Sequence, residues 1–266
     1  MHLLNDTTKR QLDTFASNPS HALLLQGPIG SGTSQAYSYI IKKLTNLGTV
    51  IHTISPEKKS ISIDQIRQNR QVVKHKSSAN ERIIVVLEQA NSMTAEAQNA
   101  LLKQLEEPIS GVMYILLSEG NGLLPTIVSR AMTVHMLPVS QEAALGFSNS
   151  SISTKNYTIS DGLAGLYVEL EAGKKSDYLE AIQQAKDMLA QTTYERFVMV
   201  ETLTKSKADI PLFLSAMQKV CHAAVKQSPQ SSRWQTNTRA VLTCQTYVEA
   251  NVQSKLVLDL LVTSLV

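Results

Sequence analysis

The segment Arg82–Leu87, RIIVVL, is the feature that most constrains the fold of this chain. Its apolar core, Ile83–Leu87, shows no alternation between apolar and polar residues. A strand with one face in water alternates, so an unbroken β-branched run indicates a strand that is covered on both faces. Strands of this kind are typical of parallel sheets with helices packed on both sides.

Other apolar runs repeat this pattern along the first half of the chain, with helical patterns between most of them. The runs predicted as strands are HALLLQG, GTVIHTI, VMYILLS and AMTVHML, and the predicted helices are SQAYSYIIKKL, SIDQIRQNRQVV and TAEAQNALLKQLEEP. Thr94 is predicted to cap the last helix, with Ala97, Leu101 and Leu105 on one face. Alternating strands and helices predict an α/β fold with a parallel sheet.

After Pro138 the sequence changes character. The segment Ser148–Ser160, SNSSISTKNYTIS, is polar and predicts a loop or a weakly ordered connection. From Leu163 onward the pattern is helical almost throughout. The sequence therefore predicts an α/β module followed by a helical remainder.

A glycine-rich segment follows the first predicted strand and opens the first predicted helix of the module. It reads Gly27, Gly30, Gly32, Thr33 and Ser34 within GPIGSGTS. A phosphate-binding loop of the form G-x-x-x-x-G-K-[ST] cradles phosphates with backbone N–H groups, a lysine and a hydroxyl that holds Mg²⁺. Thr33 stands in the lysine position, so triphosphate binding loses its main cationic contact. An ordinary glycine-rich turn between a strand and a helix is the alternative.

The acidic residues that such a site needs are altered as well. An ATPase of this type carries an Asp for Mg²⁺ and then a Glu that activates water, directly after the strand that RIIVVL represents. This chain has Glu88 and Gln89 there. Glu88 is longer by one methylene, and Gln89 cannot act as a base. We therefore expect a site that does not hydrolyse ATP.

Composition narrows the class of protein. The net charge of +3 over 266 residues is compatible with nucleic-acid contact without establishing it. Cys221 and Cys244 are the only cysteines, which is too few for a four-thiolate zinc site within one chain and favours two buried, inert thiols. No run of eighteen apolar residues and no signal-peptide pattern occur, so a soluble cytoplasmic protein without membrane contact is expected.

Two long motifs carry a resemblance to a known family. NALLKQLEEP at Asn99–Pro108 and LLPTIVSR at Leu123–Arg130, together with HALLLQGPIGSG and SISIDQIRQ, resemble the DNA polymerase III clamp-loader subunits of bacteria, a branch of the AAA+ ATPases. EANVQSKLVLDLLVTSL is similar to the usual last helix of these subunits. The resemblance extends from about His21 to Leu265 and is weakest between Pro138 and Gln230.

The resemblance implies a fold and its divisions. We expect an AAA+ P-loop parallel-sheet module over residues 1–137, a small helical lid over 138–176 and an all-α collar domain for oligomerisation over 177–266. The altered nucleotide-site positions Thr33, Glu88 and Gln89 make the chain similar to the delta-prime type of subunit. That type often has a degenerate P-loop and is a non-hydrolysing member of the loader ring. Relatives carry a four-cysteine zinc module before the IDQIR segment, and here that connection contains no cysteine, so no metal is expected.

The resemblance also assigns roles to single residues. Ser129 and Arg130 match the Ser-Arg-Cys motif, whose arginine reaches into the ATP site of a neighbouring subunit; Ala131 replaces the cysteine. The alternative is a surface arginine in a salt bridge. Ser118 corresponds to the polar sensor at the end of a strand, or caps that strand. Gly162–Val168, where relatives supply a lid cation, contains neither Arg nor Lys.

A basic helix face is the candidate for DNA contact. Arg67, Arg70 and Lys74 recur at i, i+3 and i+7, and in related loaders the start of this helix lies near the DNA backbone. Sequence-independent phosphate contact is one interpretation. A solvated basic surface is the other.

The resemblance implies that the chain acts as a structural subunit of the clamp loader. By itself it is expected to be no enzyme and to bind no cofactor. Its expected partners are the gamma/tau and delta subunits in a hetero-oligomer, with the sliding clamp and primed DNA reached through the complex. Two alternatives stay open: a weakly active, ATP-binding subunit of the gamma/tau kind, and an AAA+-derived adaptor outside replication.

Overall fold

The computed structural model describes residues 2–45, 48–57, 59–76, 82–120, 122–148, 153–173, 177–206, 209–250 and 252–266. The chain divides into two compact units, Met1–Gly173 and Lys174–Val266, and each is described by itself. The predicted boundary between module and lid, at residue 138, lies inside the first unit. It stays a prediction, as does the collar beginning at residue 177.

A parallel sheet forms the centre of the first unit. In the described residues it has five strands, in the order β2-β3-β4-β1-β5. The strands are β1 Ala22–Gly27, β2 Thr49–Ile54, β3 Arg82–Leu87, β4 Val112–Glu119 and β5 Met132–His135. The predicted α/β class with a parallel sheet, followed by helices, is confirmed.

The two-sided burial of β3 explains its unbroken apolar sequence. Val85 and Leu87 pack on the side of the sheet that helices α3 (Ile63–Lys76) and α4 (Ala95–Glu106) cover. Ile84 and Val86 pack on the other side, with residues of α1 (Asp6–Ser17) and α2 (Thr33–Leu44). All four side chains are fully buried. Because no residue of the strand core meets water, no position selects a polar side chain.

The described part of the first unit also contains eight α-helices. They are α1 Asp6–Ser17, α2 Thr33–Leu44, α3 Ile63–Lys76, α4 Ala95–Glu106, α5 Pro125–Val128, α6 Gln141–Phe147, α7 Ser153–Ser160 and α8 Ala164–Glu171. The predicted cap of α4 is confirmed, because the Thr94 hydroxyl accepts a hydrogen bond from the Ala97 N–H at 3.2 Å. Ala97, Leu101 and Leu105 are buried as the pattern predicts.

The prediction of a loop over Ser148–Ser160 is wrong for its second half, which forms α7; residues 149–152 lie outside the described residues. Ser153, Asn156 and Ser160 are buried on one face of this helix. Ser153 Oγ and Asn156 Nδ2 donate to the Glu171 carboxylate of α8 at 3.2 and 2.8 Å. The buried face is therefore polar, and an apolar period could not indicate it.

The second unit consists of helices in its described residues. They are α9 Asp177–Ala190, α10 Thr193–Lys205, α11 Ile210–Gln227, α12 Ser232–Glu249 and α13 Ser254–Ser264. Cys221 and Cys244 lie in the apolar core of this unit, as predicted. Burial raises the pKa of each thiol to about 11, so both stay protonated and unreactive near neutral pH.

Arg196 is buried in this helical unit and joins the ends of three segments. Its guanidinium donates to the carbonyls of Met188 at 2.9 Å, Leu189 at 3.5 Å and Leu265 at 3.4 Å. Carbonyls at helix C-termini have no intrahelical partner and carry partial negative charge. The arginine therefore supplies donors to carbonyls that have no partner within their own helix, although the Leu189 carbonyl also accepts from Arg233 Nη2 at 3.4 Å.

Replacing Arg196 by Met tests this role. The substitution keeps an apolar side chain but removes the donors, so we expect the free energy of unfolding to fall by about 2 kcal/mol. Chemical denaturation followed by circular dichroism measures the change. Arg239→Met, at an exposed position of α12, is the control and should change stability by less than about 0.5 kcal/mol. Equal stability of the two variants would contradict the assignment.

Candidate functional site

The glycine-rich loop connects β1 to α2 at the carboxyl edge of the sheet. A Cβ at Gly27 would overlap Ser31 Oγ and would lie 2.6 Å from Met136 Cβ, so only glycine fits there. Gly32 has a φ of 93° and precedes α2 directly. This left-handed conformation favours glycine and turns the chain into the helix. The loop thus has the local geometry that its sequence predicts.

A carboxylate of the chain itself lies in this loop. Glu119 Oε2 accepts a hydrogen bond from the Gly30 N–H at 3.2 Å, and Glu119 Oε1 accepts one from the Thr33 hydroxyl at 2.9 Å. Thr33 is only 3% exposed. The residue in the lysine position is therefore a buried neutral donor, and its partner is an acidic side chain of β4.

Two opposing effects act on the Glu119 carboxyl. Burial raises its pKa, and the charge of Glu169 adds to that rise. The Gly30 N–H and the Thr33 hydroxyl favour the ionised form and lower the pKa, but burial dominates. Among the described residues, no lysine or arginine is one of the groups that shift this pKa. The carboxylate is held by dipoles rather than by a cation.

The start of α8 lies directly on the loop. The Leu166 N–H donates to the Gly30 carbonyl at 2.9 Å. A Cβ added to Gly165 would lie 2.9 Å from the Gly30 oxygen and 2.9 Å from both Gly32 N and Gly32 Cα. The two backbones touch because neither Gly32 nor Gly165 has a side chain. The helical segment that follows the polar connection therefore covers the loop.

The other predicted nucleotide-site residues make no hydrogen bond with Glu119 among the described contacts. The Glu88 carboxylate accepts from the Ser55 hydroxyl at 2.7 Å. Gln89 is exposed and has a φ of 50°, and Ser34 is exposed on the first turn of α2. Ser118 is fully buried, and its hydroxyl has no hydrogen-bond partner among the described residues.

Strand alternation separates Ser118 from the loop. Leu116 packs on the side of α3 and α4, and Leu117 packs on the side of α1 and α2. Because successive side chains of a strand point to opposite faces, Ser118 faces the first side and Glu119 the second. The residue after the predicted sensor is thus the one that meets the loop.

This residue set does not fit a bound triphosphate. The loop has no cation at position 33, and the donors of Gly30 and Thr33 already bind a carboxylate. Within the described ranges, no three His, Cys, Asp or Glu side chains lie close enough together to hold a metal ion.

Arg130 lies just after α5 and is paired within the chain. Its Nη2 lies 2.8 Å from Glu106 Oε1, and its Nη1 donates to the Thr126 carbonyl at 3.1 Å. The side chains of Arg130 and Glu106 are 37% and 43% exposed. Ser129 donates to the same Thr126 carbonyl at 3.0 Å. The ion pair that the alternative interpretation expects is present, and the guanidinium is accessible.

The three basic residues of α3 are not equivalent. Arg67 and Lys74 are exposed, whereas Arg70 is half-buried. Its Nε is buried without a hydrogen-bond partner in the described part of the chain. Ile66 and Val73 are buried on the same helix, and Arg70 lies at the edge of that apolar face. Of the three residues predicted to contact DNA, Arg67 and Lys74 are therefore exposed and Arg70 is only partly accessible.

Sequence reasoning did not find Glu119, Glu106 or Gly165 as parts of these sites. Glu119 directly follows a predicted strand-end residue, and that position was a usable signal because parallel strands end at one edge. Gly165 and Glu106 carried no comparable signal.

Comparison with known proteins gives a consistent picture. A family profile described as "DNA polymerase III, delta subunit" matches residues 45–140. DNA polymerase III subunit tau of Bacillus subtilis is 26% identical over 188 residues, which are 62% of this chain and 33% of tau. DNA polymerase III subunit delta′ of Haemophilus influenzae is 30% identical over 135 residues, which are 50% of this chain and 40% of that subunit. The resemblance to these subunits is confirmed, and it spans less than half of their length.

The fold is also found in a solved structure. A DNA polymerase III gamma-subunit-related protein of Thermotoga maritima superposes with a TM-score of 0.59 at 18% identity, covering 96% of this chain and 98% of that one. This likeness concerns the fold alone. Among the described residues, no helix has the length and apolar character needed to cross a membrane.

Replacing Gly165 by Ala tests the contact between α8 and the loop. The added methyl would meet backbone atoms at 2.9 Å, so we expect the free energy of unfolding to fall by about 1–3 kcal/mol. Gly146→Ala in α6 is the control, because nothing lies within 4 Å of its added Cβ. That change should stabilise the chain by about 0.5–1 kcal/mol. Thermal denaturation distinguishes them, and stabilisation by both would show that α8 does not touch the loop.

Proposed function

We propose that this chain is a non-hydrolysing, delta-prime-like structural subunit of a bacterial DNA polymerase III clamp loader. It supplies Arg130 to the ATP site of a neighbouring subunit. The observation that carries the proposal is the accessible guanidinium of Arg130, at the end of the LLPTIVSR motif and inside the segment that matches the DNA polymerase III family profile. The chain's own loop, by contrast, has no lysine.

The pairing of Arg130 with Glu106 is compatible with this role. Exposed ion pairs contribute only about 0–1 kcal/mol, so a phosphate group can replace the carboxylate at small cost. A guanidinium forms two parallel hydrogen bonds with phosphate oxygens and stabilises charge that develops during phosphoryl transfer. Ser129 holds the turn through the Thr126 carbonyl and thereby positions the arginine.

The remaining assignments follow from the same proposal. The partners are gamma/tau and delta subunits in a hetero-oligomer, and the clamp and primed DNA are reached through that complex. Neither ATP nor a metal is a cofactor of this chain. Support comes from Thr33 in the lysine position, from Glu88 bonded to Ser55 and from Gln89 in place of a base.

Reconstitution with Arg130→Ala tests the arginine in trans. We expect the complex to assemble normally, because an exposed residue changes, while the DNA- and clamp-stimulated ATPase of the partner subunits falls about tenfold or more. Size-exclusion chromatography and steady-state ATP hydrolysis measure the two properties. Arg130→Lys keeps the charge but loses the planar guanidinium. The ATPase rate with this variant should therefore lie between the rates with the wild-type chain and with Arg130→Ala.

Two further variants separate this role from a structural salt bridge. Lys103→Ala removes an exposed charge of α4 and should leave the ATPase unchanged. Glu106→Gln breaks the ion pair but keeps the guanidinium, and activity should be retained. A loss with Glu106→Gln equal to that with Arg130→Ala would overturn the role in trans. Micromolar ATP affinity with Mg²⁺-dependent turnover by the isolated chain would instead favour an ATPase of the gamma/tau kind.

Within the assembled loader we also propose that Arg67 and Lys74 contact the DNA backbone, with Arg70 beside them. The first two are exposed on one face of α3. A cation that reaches a phosphate releases a counterion, so such contacts are independent of base sequence and sensitive to salt.

Changing Arg67, Arg70 and Lys74 together to Ala tests the DNA contact. The slope of log affinity against log salt for primed DNA should become shallower by about 2 to 3, with the larger value if Arg70 also contacts phosphate. Fluorescence anisotropy of the assembled loader measures it. Arg10→Ala removes an exposed cation of α1 and is the control, which should leave the slope unchanged. An unchanged slope in the triple variant removes the proposal.

A further inference from the structure

Hydrogen bonds join the glycine-rich loop to Glu119 at the end of β4. In a phosphate-binding loop, the N–H groups that follow the first glycine point towards an anion, and the helix that starts there adds the positive end of its dipole. Here the Gly30 N–H points to Glu119 Oε2, and the first residue of α2 donates its hydroxyl to Glu119 Oε1. One carboxylate thus binds donors of the loop and of the helix start.

We propose that Glu119 is the internal ligand of this loop: its carboxylate takes the donors that a phosphate would need and thereby excludes nucleotides and inorganic phosphates. This inference deepens the proposed function, because it rests on a loop that handles no nucleotide. It identifies the residue that determines this specificity, beyond the missing lysine.

Charge makes the exclusion strong. A phosphate brought to the Gly30 N–H would lie beside the carboxylate, and both groups are anions. At about 4 Å and an effective dielectric constant of about 20, repulsion between two unit charges weakens binding roughly a thousandfold. Glu169 of α8 acts on Glu119 as a like charge. A phosphate placed at this loop would therefore meet two acidic side chains.

The threonine in the lysine position fits this arrangement. Thr33 is almost fully buried and donates a neutral hydrogen bond to Glu119. A lysine there would form an ion pair with the same carboxylate, because Glu119 already lies within hydrogen-bond distance of position 33. Restoring the lysine alone would therefore neutralise Glu119 rather than create a phosphate site.

The packing of α8 keeps the carboxylate in place. The Gly30 residue that donates to Glu119 through its N–H also accepts from the Leu166 N–H through its carbonyl. The Glu119 backbone N–H in turn donates to Asn91 Oδ1 at 3.2 Å. Both the loop and the end of β4 are fixed by further contacts, so the carboxylate and its donors keep their positions.

The test restores the lysine with and without the carboxylate in the full chain. Inorganic pyrophosphate and ADP are titrated into Thr33→Lys, Thr33→Lys with Glu119→Ala, and Thr33→Lys with Glu169→Ala by calorimetry. The variant without Glu119 should bind at least about tenfold more tightly than Thr33→Lys alone. The Glu169 variant, which removes an exposed charge near the loop, should stay within about threefold of Thr33→Lys. Equal affinity of Thr33→Lys with and without Glu119, or an equal gain from Glu169→Ala, overturns the proposal.

A second measurement compares the wild-type chain with Glu119→Gln, a substitution of nearly equal size, and does not depend on the lysine variants. The pKa of Glu119 is raised by burial, so lowering the pH protonates it and weakens its hydrogen bond with the Gly30 N–H. The Gly30 amide proton of the wild-type chain should then move upfield in a single titration step, as seen by NMR. Glu119→Gln should abolish this step. Identical titration in both chains would show that the carboxylate does not occupy the loop. Neither measurement involves Arg130 or a partner subunit. A negative result for Glu119 would therefore leave the proposed role of Arg130 in trans untouched, and a negative result for Arg130 would leave the proposed role of Glu119 untouched.

Discussion

The parallel pairing of β1 with β4 is the interaction on which the geometry of the site depends. Its register sets Gly27 opposite Glu119, so one strand opens the glycine-rich loop where the other ends in a carboxylate. A shift of one residue in this register would turn Glu119 to the other face of the sheet. The buried side chains of both strands prevent such a shift, because it would also exchange the two faces of the core.

Direct backbone contact holds the start of α8 over the glycine-rich loop. Gly32 and Gly165 approach each other closely because neither has a side chain, and a hydrogen bond from Leu166 to Gly30 joins the same two segments. The cover over the loop is therefore part of the folded first unit. Its stability is set by the packing of that unit.

Much of the fold could be predicted because its signals are local. RIIVVL and the capped helix after Thr94 each carry their pattern within about a dozen residues. The helix α7 was missed because the residues on its buried face are polar and find their partner, Glu171, on another helix. Hydrophobic periodicity cannot report a face that is stabilised by hydrogen bonds.

The candidate site was predictable in its glycines and not in its acidic partner. Glu119 bonds to residues 89 and 86 positions away along the chain. That contact is a consequence of strand order, and no spacing within the sequence encodes strand order. The motif that contains Arg130 could likewise be found in the sequence. Its ion pair with Glu106, 24 positions earlier, could not, because the sequence left a role in trans and a surface salt bridge as alternatives.

The paired state of Arg130 has a consequence for molecular recognition. A free arginine on a surface samples many rotamers, and fixing it costs up to about 2 kcal/mol of conformational entropy. The Thr126 carbonyl and the Glu106 carboxylate already select one arrangement of this side chain. The Arg130 side chain is therefore ordered before any ligand binds. Less conformational entropy is lost on binding, and the affinity is higher by that amount.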